Sequence, residues 1–314
     1  MGTGTFALPA FRALLTSEHQ VQAIVTQPDR RGRGHHRHPH PVRELGEQHN
    51  VRVLQPDKAA DPEFLDVLED LRPDLVVVAA YGQILKRKLL DTPRLGAFNL
   101  HGSLLPRHRG AAPVQYSIWK GDAKTGVTMF RIEPSLDSGP VVGVHETDIL
   151  PTDTSESLME RLAELSVPLT LDVVRRLESG TAQFVPQDHS AATLAPKVQK
   201  SDGLVDWNQT PQQIDCHIRA MWPWPKASTV LHRSDGTDLR CILREVQEVD
   251  TTPDGTESDV IGQIVTDQRQ LLVRCRNGWV QILRIQPSGS RILTAVEFLN
   301  GQGDLADANF EAAE

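Results

Sequence analysis

The run Leu75-Val76-Val77-Val78-Ala79-Ala80 constrains the fold more than any other stretch of the chain. Six apolar residues in succession leave no polar face. A strand built from them must be covered on both sides, as happens when helices flank a parallel sheet. The surroundings agree with that demand. Leu8 to Leu15 has helical spacing, Val21 to Thr26 reads as a strand, Val42 to His49 as a helix and Val51 to Leu54 as a short strand. The next helix spans Asp61 to Leu71, with Asp61 as N-cap and Pro62 in the first helical position. Gly96 to Leu100 and Gly126 to Ile132 are further strands, separated by a helix at Pro113 to Lys120. This alternation predicts an α/β fold with a doubly wound, mostly parallel, Rossmann-like sheet.

A long helix follows, started by a capping-box-like pair, Asp153 and Glu156. Leu158, Leu162, Leu165, Leu169, Val173 and Leu177 recur at helical spacing, Gly180 ends the pattern, and Pro168 inside it predicts a kink. Periodicity then vanishes between Gln187 and Asp202. From Asp206 the texture changes to a helix (Pro211 to Met221) and short strand-like runs at Ser228 to His232, Leu239 to Glu245, Val260 to Thr266, Leu271 to Cys275 and Trp279 to Gln286. Short strands between polar turns predict a small antiparallel, OB-like β-barrel. The expected organisation is a chemistry-bearing domain over residues 1–186, a linker over 187–205 and a barrel domain over 206–314. Trp222 and Trp224, hemmed in by prolines, are expected to act as packing anchors.

The formal net charge of -8 (33 Lys and Arg against 41 Asp and Glu) argues against a uniformly basic nucleic-acid binder. The charge is uneven, however. Arg30, Arg31, Arg33, Arg37 and Arg43 share one acid-free stretch with His35, His36, His38 and His40, a patch able to meet phosphate. As a metal tract this stretch offers no tidy ligand geometry, so no metal is expected. Three widely spaced cysteines, Cys216, Cys241 and Cys275, fit neither a disulfide framework nor a zinc site, which points to a reducing cytoplasm. No apolar run reaches the roughly 20 residues of a membrane span, and the N-terminus has no export signal. Gly2-Thr3-Gly4 lacks the third glycine and the preceding strand of a dinucleotide fingerprint, so no nicotinamide cofactor is expected.

Chemistry concentrates beyond two strand ends. Asn99 and His101, two residues apart, point to one side of a strand, and Asp137 in Ser135-Leu136-Asp137-Ser138-Gly139 follows another strand at the same sheet edge. An amide can donate to a developing oxyanion, an imidazole can polarise a carbonyl or move a proton, and a carboxylate can orient the imidazole or accept a proton from an amine. No serine or cysteine sits in a nucleophile elbow. The set therefore suits acyl transfer by direct amine attack through a tetrahedral intermediate. Taken singly, each residue also has a plain structural role: His101 as a hydrogen bonder, Asp137 as a turn residue and Asn99 as a cap.

The segment from Asn99 to Gln115, NLHGSLLPRHRGAAPVQ, resembles the signature of the formyltetrahydrofolate-dependent formyltransferases, and Ser135 to Gly139 resembles their second signature. The resemblance implies catalytic roles for Asn99, His101 and Asp137. It also implies a folate site for the co-substrate 10-formyltetrahydrofolate involving Ser103, Leu104, Leu105, Pro106, Tyr81, Gly82 and Leu136, within backbone at Val78 to Ile84 and Leu136 to Gly139. Within that superfamily the chain resembles the branch acting on methionyl-tRNA. The carrying features are Thr26-Gln27-Pro28-Asp29-Arg30 opening a basic loop, Arg33 between Gly32 and Gly34, the Ala-Ala-Pro-x-Gln ending, and the C-terminal Asp206-Trp207, Arg219-Ala220, Trp224-Pro225 and Glu297 to Gly301. This implies an initiator methionyl-tRNA partner met by Arg30, Arg31, Arg33 and Arg37, a methionine pocket that includes Phe6, and a monomer. Formylation of another amine, such as a nucleotide sugar, and hydrolysis of the folate are alternatives on the same catalytic half; a non-catalytic RNA-binding protein is an alternative of another class. The family begins with an apolar strand before its Gly-Thr turn, whereas this chain opens at Met1-Gly2-Thr3. The expectation is that an apolar segment precedes Met1 in the natural protein.

Overall fold

The computed structural model describes residues 1–29, 40–249, 260–267, 269–302, 305 and 308–311. A 3-10 turn at Thr5–Ala7 leads into α1 (Leu8–Leu15), followed by β1 (Ala23–Val25), α2 (Pro41–Gln48), β2 (Arg52–Leu54), α3 (Pro62–Leu71), β3 (Val76–Ala79), α4 (Arg87–Asp91), β4 (Ala97–His101), β5 (Arg109–Gly110), α5 (Pro113–Trp119), β6 (Lys124–Arg131), β7 (Val141–Asp148) and α6 (Ser155–Glu178). The chain divides into two compact units, one of Met1–Val114, Lys124–Asp148 and Ser157–Lys197, the other of Gln115–Ala123, Ile149–Glu156 and Val198–Glu314.

In the first unit β3 pairs parallel with β4, and β4 pairs with β6 and β6 with β7 in antiparallel fashion. The sheet thus turns antiparallel on the far side of β4, and β7 is a strand that the sequence reading did not separate. β1 pairs parallel with β2. Met1 and Gly2 lie between β1 and β3: the Gly2 amide donates to the Val25 carbonyl at 2.9 Å, and the Ala79 amide donates to the Met1 carbonyl at 3.0 Å. A Cβ on Gly2 would stand 2.6 Å from the Ala79 carbonyl oxygen, so only glycine fits that approach. Val76, Val78 and Ala79 are buried, and Phe64, Leu65 and Leu68 of α3 bury their apolar stripe in the same core. The apolar run therefore does what its composition demands. α6 runs unbroken through Pro168, with Leu158, Leu162, Leu169, Val173 and Leu177 buried and Pro168 exposed.

The stretch that lacked periodicity carries short structure. His189–Ala191 is a 3-10 turn, and β8 (Leu194–Ala195) pairs parallel with β5. Gly110 adopts φ 125° there, and a Cβ on it would meet the Ala195 carbonyl oxygen at 2.6 Å, so the pairing depends on glycine.

The second unit holds a 3-10 turn at Ser201–Gly203, α7 (Pro211–Ala220), β9 (Ala227–His232), β10 (Asp238–Val249), β11 (Ile264–Asp267), β12 (Gln270–Cys275), β13 (Gly278–Pro287), β14 (Leu293–Thr294), α8 (Ala295–Asn300) and β15 (Asn309–Phe310). Its strands lie in the order β11-β12-β13-β10-β9-β15, with β14 on β13. A bridge between Gln263 and Asn309 joins the two ends of that order, so the antiparallel sheet curls into the expected barrel. Trp207 and Trp279 fill its interior; Trp207 stacks on Phe310 at 5.6 Å and donates its indole N–H to Thr229 Oγ1. Trp224, expected as an anchor, is instead 52% exposed, because flanking prolines stiffen the backbone without supplying a core to bury it. α7 begins with a reciprocal cap in which Thr210 Oγ1 accepts from the Gln213 amide while the Gln213 side chain accepts from the Thr210 amide. Thr210→Ala should therefore lower the unfolding free energy by about 1 kcal/mol, read as a lower urea midpoint with an unchanged slope.

Candidate active site

β4 delivers the first two functional side chains. Alternation places Asn99 and His101 on one face of the strand, between β3 and β6. Asn99 is half-buried, and among the described residues its amide has no hydrogen-bond partner. His101 is buried, edge-on to the Phe130 ring at 6.3 Å. Its Nε2 stands 2.8 Å from the His108 carbonyl oxygen. A carbonyl only accepts, so Nε2 must carry the proton. Burial holds the His101 pKa below the ordinary imidazole range, and the nearby Asp137 carboxylate only partly offsets this. The ring is therefore neutral near pH 7, with an unprotonated Nδ1.

That lone pair faces Asp137, whose Oδ2 is 3.7 Å away. Asp137 lies in the loop between β6 and β7, with φ 43°, a left-handed conformation that aspartate tolerates better than most residues. The same Oδ2 accepts the Gly110 amide at 2.8 Å. Asp137 thus meets His101, but not from the shared sheet edge expected. β6 runs antiparallel to β4, its end lies beside Phe98, and the loop folds back to reach the imidazole. Asn99 shares the strand face of His101.

The remaining expected residues are placed differently. Ser103 is fully buried, and its hydroxyl donates to the Arg107 carbonyl at 2.7 Å, so it holds its own turn. Leu104, Leu105 and Pro106 are partly buried, and the Leu105 amide donates to Thr128 Oγ1. The Tyr81 ring lies in the apolar core, while its carbonyl accepts from Thr3 and Gln27. Gly82 is exposed, with φ 75°, and Leu136 is 60% exposed. Phe6 is buried. Arg30, Arg31, Arg33 and Arg37 lie outside the described residues. Two residues that shape the site carried no sequence signal: Gln187, which accepts from Arg109 of the Asn99–Gln115 signature, and Thr193, which accepts the His108 amide at 2.8 Å. Among the described residues no group of three or more His, Cys, Asp or Glu gathers to hold a metal, and no helix is long and apolar enough to cross a membrane.

An amide, a neutral imidazole and a carboxylate carried by the strands and loops of an α/β domain are chemistry suited to group transfer at a carbonyl carbon. Residues 1–174 match the family described as formyl transferase, and residues 197–303 match the formyl transferase C-terminal domain. The methionyl-tRNA formyltransferase of Methylococcus capsulatus is 42% identical over 95% of this chain and 94% of its own length. That of Desulfotalea psychrophila is 39% identical over 96% of this chain and 91% of its own. The fold is also that of an N-formyltransferase from Helicobacter canadensis, solved with folinic acid and dTDP-3-aminofucose: TM-score 0.64, 13% identity, covering 90% of this chain and 96% of that one. The chain belongs to the formyl transferase family, among its methionyl-tRNA formyltransferases.

Burial of His101 has a consequence for stability. Its folded-state pKa lies below the unfolded value, so the unfolded chain takes up the proton first as pH falls, and folding loses stability through and below the ordinary imidazole range near about 6.5. The stability advantage of the parent over His101→Gln should therefore shrink between pH 7.5 and 5.5. Urea midpoints of both proteins at the two pH values test this; a pH-independent difference would show that the ring is not held neutral.

Proposed function

We propose that this protein transfers the formyl group of 10-formyltetrahydrofolate to the amino group of methionine on initiator tRNA, working as a cytoplasmic monomer. Relatives aligned over more than nine-tenths of both lengths are named methionyl-tRNA formyltransferases. The observation that carries the reading is the approach of Asp137 to the buried His101, with Asn99 on the same strand face. The co-substrate supplies an activated formyl group. Its site suits the residues present: β3 and β4 are parallel neighbours, so the loop holding Tyr81 and Gly82 leaves the sheet at the same edge as His101. The exposed Leu136, adjoining Asp137, offers an apolar surface to a flat ring.

Three roles follow from the geometry. The unpartnered Asn99 amide donates to the oxygen of the formyl group as negative charge develops there. His101 Nδ1, held unprotonated by the Nε2–H bond to His108, takes the proton that the attacking amine must lose and returns it to the departing nitrogen. Asp137 Oδ2, at ion-pair distance from Nδ1, stabilises the imidazolium while it lasts. Phe6 and the arginines of the 30–37 stretch are assigned to the methionine side chain and the tRNA phosphates.

Transfer of labelled formyl to charged initiator tRNA, charged elongator tRNA and a dTDP-amino sugar, run side by side, tests the reading. Label should reach the initiator species in strong preference. Transfer to the sugar alone, or release of formate without transfer, would overturn it. Asn99→Ala should lower kcat by roughly 100- to 1,000-fold, with KM for tRNA nearly unchanged. Arg33→Ala should instead raise KM for tRNA and flatten its dependence on salt by about one phosphate contact.

A further inference from the structure

Gln187 lies 50 residues downstream of Asp137, in a stretch with no motif. It is buried, and its side-chain amide is used completely. Nε2 donates to the Asp137 carbonyl at 2.9 Å and to the Gly139 carbonyl at 2.7 Å. Oε1 accepts from Arg109 twice, from Nε at 3.2 Å and from Nη2 at 2.6 Å. The orientation of the amide is not in doubt: a guanidinium only donates and carbonyls only accept, so oxygen must face Arg109 and nitrogen must face the loop. Arg109 is itself buried, its Nη2 also 3.0 Å from His189 Nδ1.

Two features show what this arrangement accomplishes. Asp137 has φ 43°, a conformation of the kind that persists only where surroundings over-determine it. The residue after Arg109 in the chain, Gly110, donates its amide to Asp137 Oδ2. One short segment thus grips the carboxylate directly through Gly110 and the Asp137 backbone indirectly through Arg109 and Gln187. Asp137 is held at both ends, while its Oδ2 faces His101 Nδ1.

We infer that Gln187 is a positioning residue for formyl transfer, which with Arg109 locks the left-handed turn at Asp137 so that its carboxylate meets the imidazole. The inference rests on the catalytic reading of Asp137. Misplacing a reacting group by about 1 Å costs on the order of 100-fold in rate, so partial loss of the lock should cost about 10- to 100-fold.

Gln187→Glu tests this closely, because it keeps the acceptor for Arg109 and the side-chain shape while replacing the two N–H donors with an oxygen set against two carbonyls. Steady-state kinetics of the full chain are measured for the parent, Gln187→Glu, Asp137→Asn and the double variant, with urea unfolding of each as a check on folding. The expected result is a 10- to 100-fold fall in kcat for Gln187→Glu, KM for tRNA and folate within about threefold of the parent, and at most a threefold further loss when the change is made on Asp137→Asn. An equal fold loss in both backgrounds would show that Gln187 acts independently of Asp137 and would overturn the inference. So would an unchanged kcat for Gln187→Glu beside a disabled Asp137→Asn. If Asp137→Asn itself keeps the parent kcat, the catalytic reading falls first. Should Gln187→Glu fail to fold, the apolar near-isostere Gln187→Met takes its place under the same criteria.

Discussion

The site depends on one hydrogen bond, from His101 Nε2–H to the His108 carbonyl. It fixes the imidazole tautomer, and with the tautomer it fixes which nitrogen has a lone pair to offer. Everything that secures the acceptor secures the tautomer. His108 sits at φ 60°, its amide held by Thr193 Oγ1, and the Ser103 hydroxyl holds the carbonyl one residue before it. Thr193, in turn, is kept in place by the two-residue pairing of Arg109–Gly110 with Leu194–Ala195. A strand too short to show in hydrophobic pattern therefore braces the imidazole.

Electrostatics complete the arrangement. An imidazole buried beside a carboxylate is subject to opposite influences, and here desolvation outweighs the charge. The ring is held neutral, and in the proposed reaction the carboxylate would gain its full value only once a proton has arrived on Nδ1. Stabilisation that appears with the developing charge, and not before it, favours the transition state over the bound substrates.

Much of this was legible in the chain. α1 was read to its end residues because Pro9 and a clean apolar spacing mark it, and β3 because an apolar run has few other fates. Asn99 and His101 were legible because alternate residues of a strand share a face. The shared sheet edge expected for Asp137, by contrast, does not exist: β6 runs antiparallel to β4, and the loop after it reaches His101 only by folding back. What escaped depends on distance in sequence. β7 buries only part of one face, and Gly143 within it breaks the pattern because Leu169 and Val173 would stand 2.7 and 2.8 Å from a Cβ there. α8 had its Thr294–Glu297 capping box in plain view, but six residues are too few to show a helical period. Gln187 has no local signature at all; its meaning comes from three partners that lie 48 to 78 residues away. The side-chain surroundings of Ser103 and Tyr81 were not legible in one dimension: the fold turns the hydroxyl into its own turn and the ring into the core.

The most direct test of this account is the protonation state of His101 itself. Nitrogen-15 NMR of histidine-labelled protein, with the ring assigned by loss of its signals in His101→Gln, reports each nitrogen separately. The account predicts a protonated, pyrrole-type Nε2 and an unprotonated, pyridine-type Nδ1 at pH 7, persisting to pH values below the ordinary imidazole range. A proton on Nδ1 at pH 7, whether as the other tautomer or as the imidazolium, would contradict it.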